Sequence, residues 1–253
     1  MCNTCGCGNT TFTTKHKHSH SHEHHHNHDE VSVEQKILDF NDELAHQNEH
    51  FFHDNKIFCL NLLSSPGSGK TTLLEATLRE FGDQFKIGLV EGDQQTDFDA
   101  QRLMKYSKNV TQINTNRGCH LDSHMIHHAL ENLDLENLEY LIVENVGNLV
   151  CPSMFKLGEA KKIVILSVTE GEDKPLKYPN AFFESELAII SKIDLLPYLD
   201  FDVEKCIGYI KQVKPEMKII LLSSKTLEGF DEWKNWLIEE KESFLSEAMH
   251  HHH

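Results

Sequence analysis

The stretch Ile57-Phe58-Cys59-Leu60-Asn61-Leu62-Leu63-Ser64-Ser65-Pro66-Gly67-Ser68-Gly69-Lys70-Thr71-Thr72 decides the fold. The run Ile57–Leu63 is apolar and β-favouring and stops at a Ser/Pro/Gly turn. Thr72–Leu78 then reads as a helix. Strand, glycine-rich turn, Lys-Thr and helix, in that order, form the arrangement that cradles a triphosphate. The glycines let backbone N–H groups close around the phosphates, and Lys70 reaches the β/γ oxygens. Thr71 offers a hydroxyl to Mg²⁺, and the helix N-terminus turns its partial positive charge toward the anion. Gly67, Ser68, Gly69, Lys70, Thr71 and Thr72 are the candidate phosphate-binding residues. The pattern normally opens with Gly or Ala; here Ser64 fills that position. The stretch implies binding of a nucleoside triphosphate.

At 253 residues the chain is long enough for one large α/β domain plus a tail. Its net charge of −16 argues against a nucleic-acid partner, which needs a basic face. No apolar run approaches the ~20 residues of a membrane span, and the first twenty residues carry no apolar core of a secretory signal. A cytoplasmic location is expected. In that reducing compartment seven cysteines read as metal-binding or reactive groups before disulfides.

Residues 1–30 are low-complexity: Met1-Cys2-Asn3-Thr4-Cys5-Gly6-Cys7-Gly8, a Thr-rich spacer, then eight histidines in thirteen positions from His16 to His28. They are expected to form a disordered Cys/His-rich metal-binding arm. An amphipathic helix is expected over residues 31–54, with Val33, Ile37, Phe40 and Leu44 on one face and Phe51 and Phe52 anchoring its end. Residues 55–246 alternate strand-like runs (Phe85–Val90, Val110–Ile113, Leu141–Val143, Ile163–Val168, Leu187–Ile190, Lys218–Leu222) with helical stretches such as Asp97–Tyr106, Leu121–Leu133 and Gly229–Leu245. This predicts a P-loop NTPase domain: a mainly parallel, twisted α/β sheet with helices on both faces and chemistry at the carboxyl ends of its strands. Residues 247–253, ending in His250–His253, read as a tail resembling an engineered tag.

Two acids fall at strand ends. Val90-Glu91-Gly92-Asp93 makes Asp93 the first candidate to hold Mg²⁺, ahead of Asp97 and Glu91. In Leu141-Ile142-Val143-Glu144-Asn145-Val146-Gly147, Glu144 resembles the second carboxylate of P-loop enzymes, and Gly147 the glycine that contacts the γ-phosphate. Lys70, Asp93 and Glu144 are the candidate catalytic residues. Ser191-Lys192-Ile193-Asp194 resembles the Asn-Lys-x-Asp guanine motif. Asp194 would accept hydrogen bonds from guanine N1 and N2, donors that adenine lacks, and the stem of Lys192 would lie along the base. Ser191 replaces the Asn and removes an amide contact. Ser224 and Lys225 would back the base from the other side. These features favour GTP over ATP.

Cys119 and His120 sit together after the third strand, and Cys151 lies four residues past Gly147. Two thiolates and an imidazole on neighbouring strand-end loops suit Zn²⁺ or Ni²⁺. Because Cys151 follows Gly147 so closely, a movement of that loop with the γ-phosphate would reach a thiolate. Cys2, Cys5 and Cys7, with the Met1 amine, suit square-planar Ni²⁺, and also Zn²⁺ or Cu⁺. Cys59 reads as a core residue; Cys206 has no evident role.

Taken in order, Cys-x-x-Cys-Gly-Cys, the His-rich arm, SSPGSGKTT, EGD, GCHLD, ENVGNLVCP and SKIDL resemble the HypB family, the nickel-inserting GTPases of [NiFe]-hydrogenase maturation. The resemblance spans all but the tail. It implies a signal-recognition-type GTPase fold, a GTP-dependent homodimer, and Ni²⁺ delivery to the hydrogenase large subunit with a HypA-type zinc-containing partner. It also implies a tight nickel site at Cys2, Cys5 and Cys7, and a nucleotide-responsive metal site at Cys119, His120 and Cys151. Slow, switch-type turnover is expected, since no arginine except Arg117 suggests itself for the γ-phosphate. Two other classes share parts of this inventory. A small-molecule kinase would need an acceptor pocket and prefer adenine, and a nickel store would use only the arm and the cysteines.

Overall fold

The computed structural model describes residues 33–93, 97–116 and 118–250. The expectations for the 1–30 arm, with Cys2, Cys5, Cys7 and the His16–His28 tract, and for Arg117 and residues 251–253, lie outside the described residues.

From the first strand onward the chain runs β1 (Phe58–Ser64), α2 (Lys70–Phe81), β2 (Ile87–Asp93), α3 (Phe98–Leu103), β3 (Val110–Asn114), α4 (Ser123–Leu130), β4 (Tyr140–Glu144), α5 (Cys151–Met154) and β5 (Lys161–Ser167). It continues through α6 (Lys174–Lys177), α7 (Pro179–Phe183), β6 (Leu187–Ser191), a 3₁₀ turn (Ile193–Tyr198), α8 (Val203–Val213), β7 (Lys218–Leu222) and α9 (Phe230–His250). Helix α1 (Val33–Asp54) precedes them. The strands form one parallel sheet in the order β3-β2-β4-β1-β5-β6-β7. Side chains alternate across β1, so Phe58, Leu60 and Leu62 face the core shared with α2 and α9, while Cys59 and Leu63 face the cores under α4 and α8. Cys59 and Cys206 are both core residues, and burial pushes both thiols up, Cys206 to about 12. No helix among the described residues is long and apolar enough to cross a membrane.

Two expectations about the edges of the domain are corrected. Helix α1 spans the expected residues, but its packing face is not the apolar one. Ile37 and Phe40 are 51% and 62% exposed, whereas Asn41, Ala45, Asn48 and Phe52 are buried. The two asparagines fit because their amides meet backbone groups: Asn41 donates to the Lys156 carbonyl, Asn48 donates to the Ser123 and Leu157 carbonyls, and Ser123 N–H donates to Asn41 Oδ1. Spacing of apolar residues cannot reveal such polar pegs. At the other end, α9 continues through Ser246 to His250, where a tail beginning at residue 247 was expected. Glu247, Ala248 and Met249 are good helix formers and prolong it.

Candidate functional site

A cleft of about 420 Å³ opens at the carboxyl ends of β1, β2 and β4. Its floor is the turn between β1 and α2. Gly67 (φ 74°) and Gly69 (φ 102°) take left-handed conformations that side chains resist, and Gly69 caps the N-terminus of α2. Lys70, Thr71 and Ser68 are buried. Ser64, the departure from the usual pattern, has a role here: Lys70 Nζ donates to its buried Oγ at 2.7 Å. The hydroxyl gives the ammonium a partner inside a site whose burial lowers the lysine pKa.

Four carboxylates, Glu91, Asp93, Asp99 and Glu144, line the cleft with Lys70. Thr71 Oγ1 donates to Glu144 Oε1 at 2.7 Å, and Glu91 and Asp93 line the same cleft. Glu91 Oε2 and Glu144 Oε2 are buried without a hydrogen-bond partner. Burial raises Glu91 to about 8, and burial likewise raises Glu144 to about 7 against the pull of Lys70. Orphaned buried carboxylate oxygens beside a threonine hydroxyl are the hard-oxygen chemistry that Mg²⁺ takes. Asp97 is not among the cleft's residues; it is an exposed residue just before α3 whose carboxylate accepts from Gln101. Asp99 and Arg102 of α3 line the cleft instead. Arg102 is thus an arginine at the site that the sequence reading missed. It is tied to Glu75 at 2.5 Å, Asp99 at 2.8 Å and Thr72 Oγ1 at 3.3 Å.

The raised carboxyls give a pH signature. A group whose folded pKa is raised adds stability that is complete below its unfolded value and is lost as pH climbs through the folded value. For Glu91 and Glu144 that window runs from about 4.5 to about 8. Nucleotide-free, Mg²⁺-free protein should therefore lose on the order of 5 kcal/mol between pH 5.5 and 8.5, the larger part of it through Glu91. Denaturant midpoints measure it, and Glu91→Gln should flatten the profile.

On the β6 side, Ser191 reaches back to the phosphate loop: its buried Oγ donates to the Ser68 carbonyl at 2.7 Å, and Lys192 Nζ donates to the Gly67 carbonyl at 2.6 Å. The serine in the Asn position therefore braces the turn, a bond that spans 123 residues in sequence. Asp194 Oδ1 accepts from Ser223 Oγ at 2.6 Å, and Ser223 Oγ also accepts from the N–H groups of Lys225 and Thr226. Ser223, fully buried, orders this loop, while Ser224 is half-buried and Lys225 exposed. Ser191→Ala strands the Ser68 carbonyl and should weaken guanine-nucleotide binding roughly tenfold, about 1–2 kcal/mol, in a fluorescent-nucleotide titration.

The donor atoms of Cys119, His120 and Cys151 lie within 4.8 Å of one another. Cys119 and Cys151 sulfurs are 2.9 Å apart, and Cys119 Sγ is 3.7 Å from His120 Nδ1. The His120 ring stacks on Phe155 at 3.8 Å, and burial lowers its pKa, which keeps the imidazole neutral and ligand-competent. Two thiols and one imidazole, all half-buried, could hold a soft or borderline metal ion. The loops that bring them together do not follow neighbouring strands, as expected, because β2 lies between β3 and β4. The crossing is possible at Gly92. A Cβ there would meet the Leu121 side chain at 2.8 Å, so the missing side chain lets the chain after β3 pass over β2. Leu121 N–H then donates to Asn145 Oδ1 at 3.0 Å.

One segment belongs to both sites. Glu144, Asn145, Val146 and Gly147 line the cleft, and Gly147 lies so close to the phosphate loop that a Cβ on it would come 3.0 Å from Pro66 Cα. Asn148, next in the chain, donates to the Cys119 carbonyl at 3.3 Å, accepts from Val150 N–H and pairs with Ser64 in an isolated bridge. Cys151 follows at the start of α5.

The family of the CobW/HypB/UreG nucleotide-binding domain matches residues 59–221. Over 207 residues the chain is 52% identical to the hydrogenase maturation factor HypB of Azotobacter chroococcum, covering 82% of this chain and 68% of that protein. It is also 52% identical to HypB of Escherichia coli K12 over 207 residues, covering 82% and 71%. The crystal structure of HypB from Helicobacter pylori in complex with nickel superposes with a TM-score of 0.77 at 45% identity, covering 81% of this chain and 96% of that one. On the fold, the cleft and these similarities together, the chain belongs to the HypB family of hydrogenase maturation factors, within the CobW/HypB/UreG nucleotide-binding proteins.

Proposed function

We propose that this chain is a GTP-hydrolysing nickel metallochaperone whose nucleotide state sets its affinity for metal, and which passes Ni²⁺ toward the [NiFe]-hydrogenase large subunit. The observation that carries the reading is the shared segment Glu144–Cys151, which lines the nucleotide cleft at one end and supplies a thiolate to the Cys119–His120–Cys151 cluster at the other. The nickel complex of the Helicobacter pylori relative supports nickel as the cargo; Zn²⁺ would suit the same three donors.

In this mechanism the N–H groups of the Gly67–Thr72 turn hold the phosphates, and Lys70 exchanges its Ser64 partner for the β/γ oxygens. Thr71 and Asp93, backed by Glu91 and Glu144, would hold Mg²⁺, which neutralises phosphate charge when bound. Glu144, which accepts from Thr71 Oγ1 at the end of β4, orients the water that attacks the γ-phosphate. Asp194 reads guanine N1 and N2 while Lys192 and Ser191 brace the turn, with Ser224 and Lys225 on the far side of the base. Arg102 is engaged by Glu75 and Asp99, so the γ-phosphate gains little from it and turnover is slow. The GTP state holds Gly147 against the phosphate loop and favours a homodimer. Hydrolysis releases Gly147, Asn148 relaxes its hold on the Cys119 carbonyl, and the metal leaves. The Cys2, Cys5 and Cys7 thiolates and the His16–His28 tract supply Ni²⁺, a HypA-type protein receives it, and the cycle runs in the cytoplasm.

Asp194→Asn tests the guanine reading with GTP and XTP side by side. An amide meets the xanthine C2 carbonyl but not the guanine amine, so GTP hydrolysis and GTP-stimulated nickel release should both fall roughly a thousandfold and return with XTP. Release driven equally by ATP in the unaltered protein would contradict the reading.

A further inference from the structure

Two histidine pairs on packed helices carry chemistry that neither the nucleotide cleft nor the thiol cluster uses. On α1, His46 Nε2 and His50 Nε2 face each other at 3.0 Å; on α4, His124 Nε2 and His128 Nε2 do so at 3.2 Å. Four-residue spacing stacks each pair along one helix face, and all four rings are exposed. A carboxylate stands behind one ring of each pair: Glu49 Oε2 is 3.2 Å from His46 Nδ1, and Glu131 Oε1 is 3.6 Å from His128 Nδ1. The Glu49 carboxylate hydrogen-bonded to His46 Nδ1 favours the tautomer with the proton there, which leaves His46 Nε2 as a lone-pair donor aimed at His50; Glu131 stands farther off, as an acidic neighbour of the α4 pair.

The spacing of the nitrogens discriminates between metals. Two metal–nitrogen bonds of about 2.1 Å at a right angle hold their nitrogens about 3.0 Å apart, whereas a tetrahedral ion holds them about 3.4 Å apart. The 3.0 Å separation of the α1 pair fits the right-angled bite of a square-planar or octahedral ion, while the 3.2 Å separation of the α4 pair lies midway between the two geometries and suits either.

We propose that His46–His50 and His124–His128 are two further chelating sites for divalent first-row transition ions such as Ni²⁺, the α1 pair with the right-angled bite of Ni²⁺ or Cu²⁺. They are separate from the Cys119–His120–Cys151 cluster and independent of the nucleotide reading, since no residue of the cleft takes part. The α4 pair begins four residues after His120, so an ion held there lies on the helix that follows the thiol cluster. Each ion is held by two imidazoles with water in its remaining positions, an arrangement suited to exchange.

The test uses the full chain with Ni²⁺ added as the probe in excess over every other site, and diethyl pyrocarbonate modification of each histidine quantified by mass spectrometry. Residue-by-residue readout separates the pairs from the N-terminal and C-terminal histidines. His53, packed on Phe244, and His127, with no imidazole four residues away, are internal controls. The expected result is protection of His46, His50, His124 and His128 but not of His53 or His127. His50→Gln should then expose His46, and His128→Gln should expose His124. Glu49→Gln should raise the Ni²⁺ concentration for half-protection of its pair roughly tenfold. Equal modification of paired and control histidines in Ni²⁺, or a His46 still protected in His50→Gln, would overturn the proposal.

Discussion

Lys70→Ala is expected to lower affinity for guanine nucleotide between roughly a hundredfold and a few thousandfold, within the range of about 2–5 kcal/mol that truncating one partner of a buried, hydrogen-bonded charge pair costs a complex. The size follows from what surrounds the ammonium. Lys70 is buried, with its Nζ on Ser64 Oγ, and Glu91, Asp93 and Glu144 line the same cleft. Without that cation, a triphosphate entering the cleft meets the four acidic side chains that line it (Glu91, Asp93, Asp99 and Glu144) and loses the ammonium that offsets them. Isothermal titration with a non-hydrolysable GTP analogue measures the loss. The thermal midpoint of the nucleotide-free protein should move little by comparison, because the deletion also removes a buried charge. Retained affinity would mean that the phosphates do not sit on the Gly67–Thr72 turn.

The second large effect belongs to Cys151. Removing one of three donors is expected to weaken metal binding by roughly a hundredfold or more, beyond the 10–100-fold that loss of an outer-shell partner costs. Cys151→Ala leaves Cys119 and His120 as a two-donor remnant. Competition against a colorimetric chelator, with Cys2, Cys5 and Cys7 replaced by serine so that the remaining thiols report alone, would show it. Cys59→Ala and Cys206→Ala are the matched controls. Both thiols are wholly buried in apolar cores, so they should change the unfolding midpoint and leave metal affinity as it was. Equal metal affinity in Cys151→Ala and the unaltered protein would remove the thiol cluster from the account.

Much of this architecture is legible along the chain because it is local. Apolar runs bounded by turn residues place every strand, β7 to its end residues, and the Gly67–Lys70 turn announces the cleft. The acids at the ends of β2 and β4 are likewise readable, since a strand's last residue in such a sheet points at the site. What escapes is long-range and polar. Nothing near Ser191 says that its hydroxyl braces the Ser68 carbonyl, so the serine reads as a lost amide where it is a retained brace. Ser64 reads as a departure from pattern, yet it supplies the lysine's partner. Asp99 and Arg102 stay hidden because only the placement of α3 beside α2 turns them to the cleft, which leaves Asp97 to be mistaken for a site residue. On α1 the apolar stripe misleads, because the buried face is built on Asn41 and Asn48 bonded to backbone. The approach of Cys119 to Cys151 follows from Gly92, whose role appears only when Leu121 is seen crossing β2.

The central claim is that one segment, Glu144–Cys151, ties nucleotide to metal, and Ni²⁺ affinity in two nucleotide states tests it most directly. The measurement is the Ni²⁺ dissociation constant of protein carrying Cys2, Cys5 and Cys7 as serine, with GDP and with a non-hydrolysable GTP analogue, and with Cys151→Ala beside it. The account predicts a difference of at least about fivefold between the two states, the lower end of typical coupling between sites, and its disappearance in Cys151→Ala. Equal affinities in both states would contradict it, leaving a nucleotide cleft and a metal cluster that share a loop without sharing free energy.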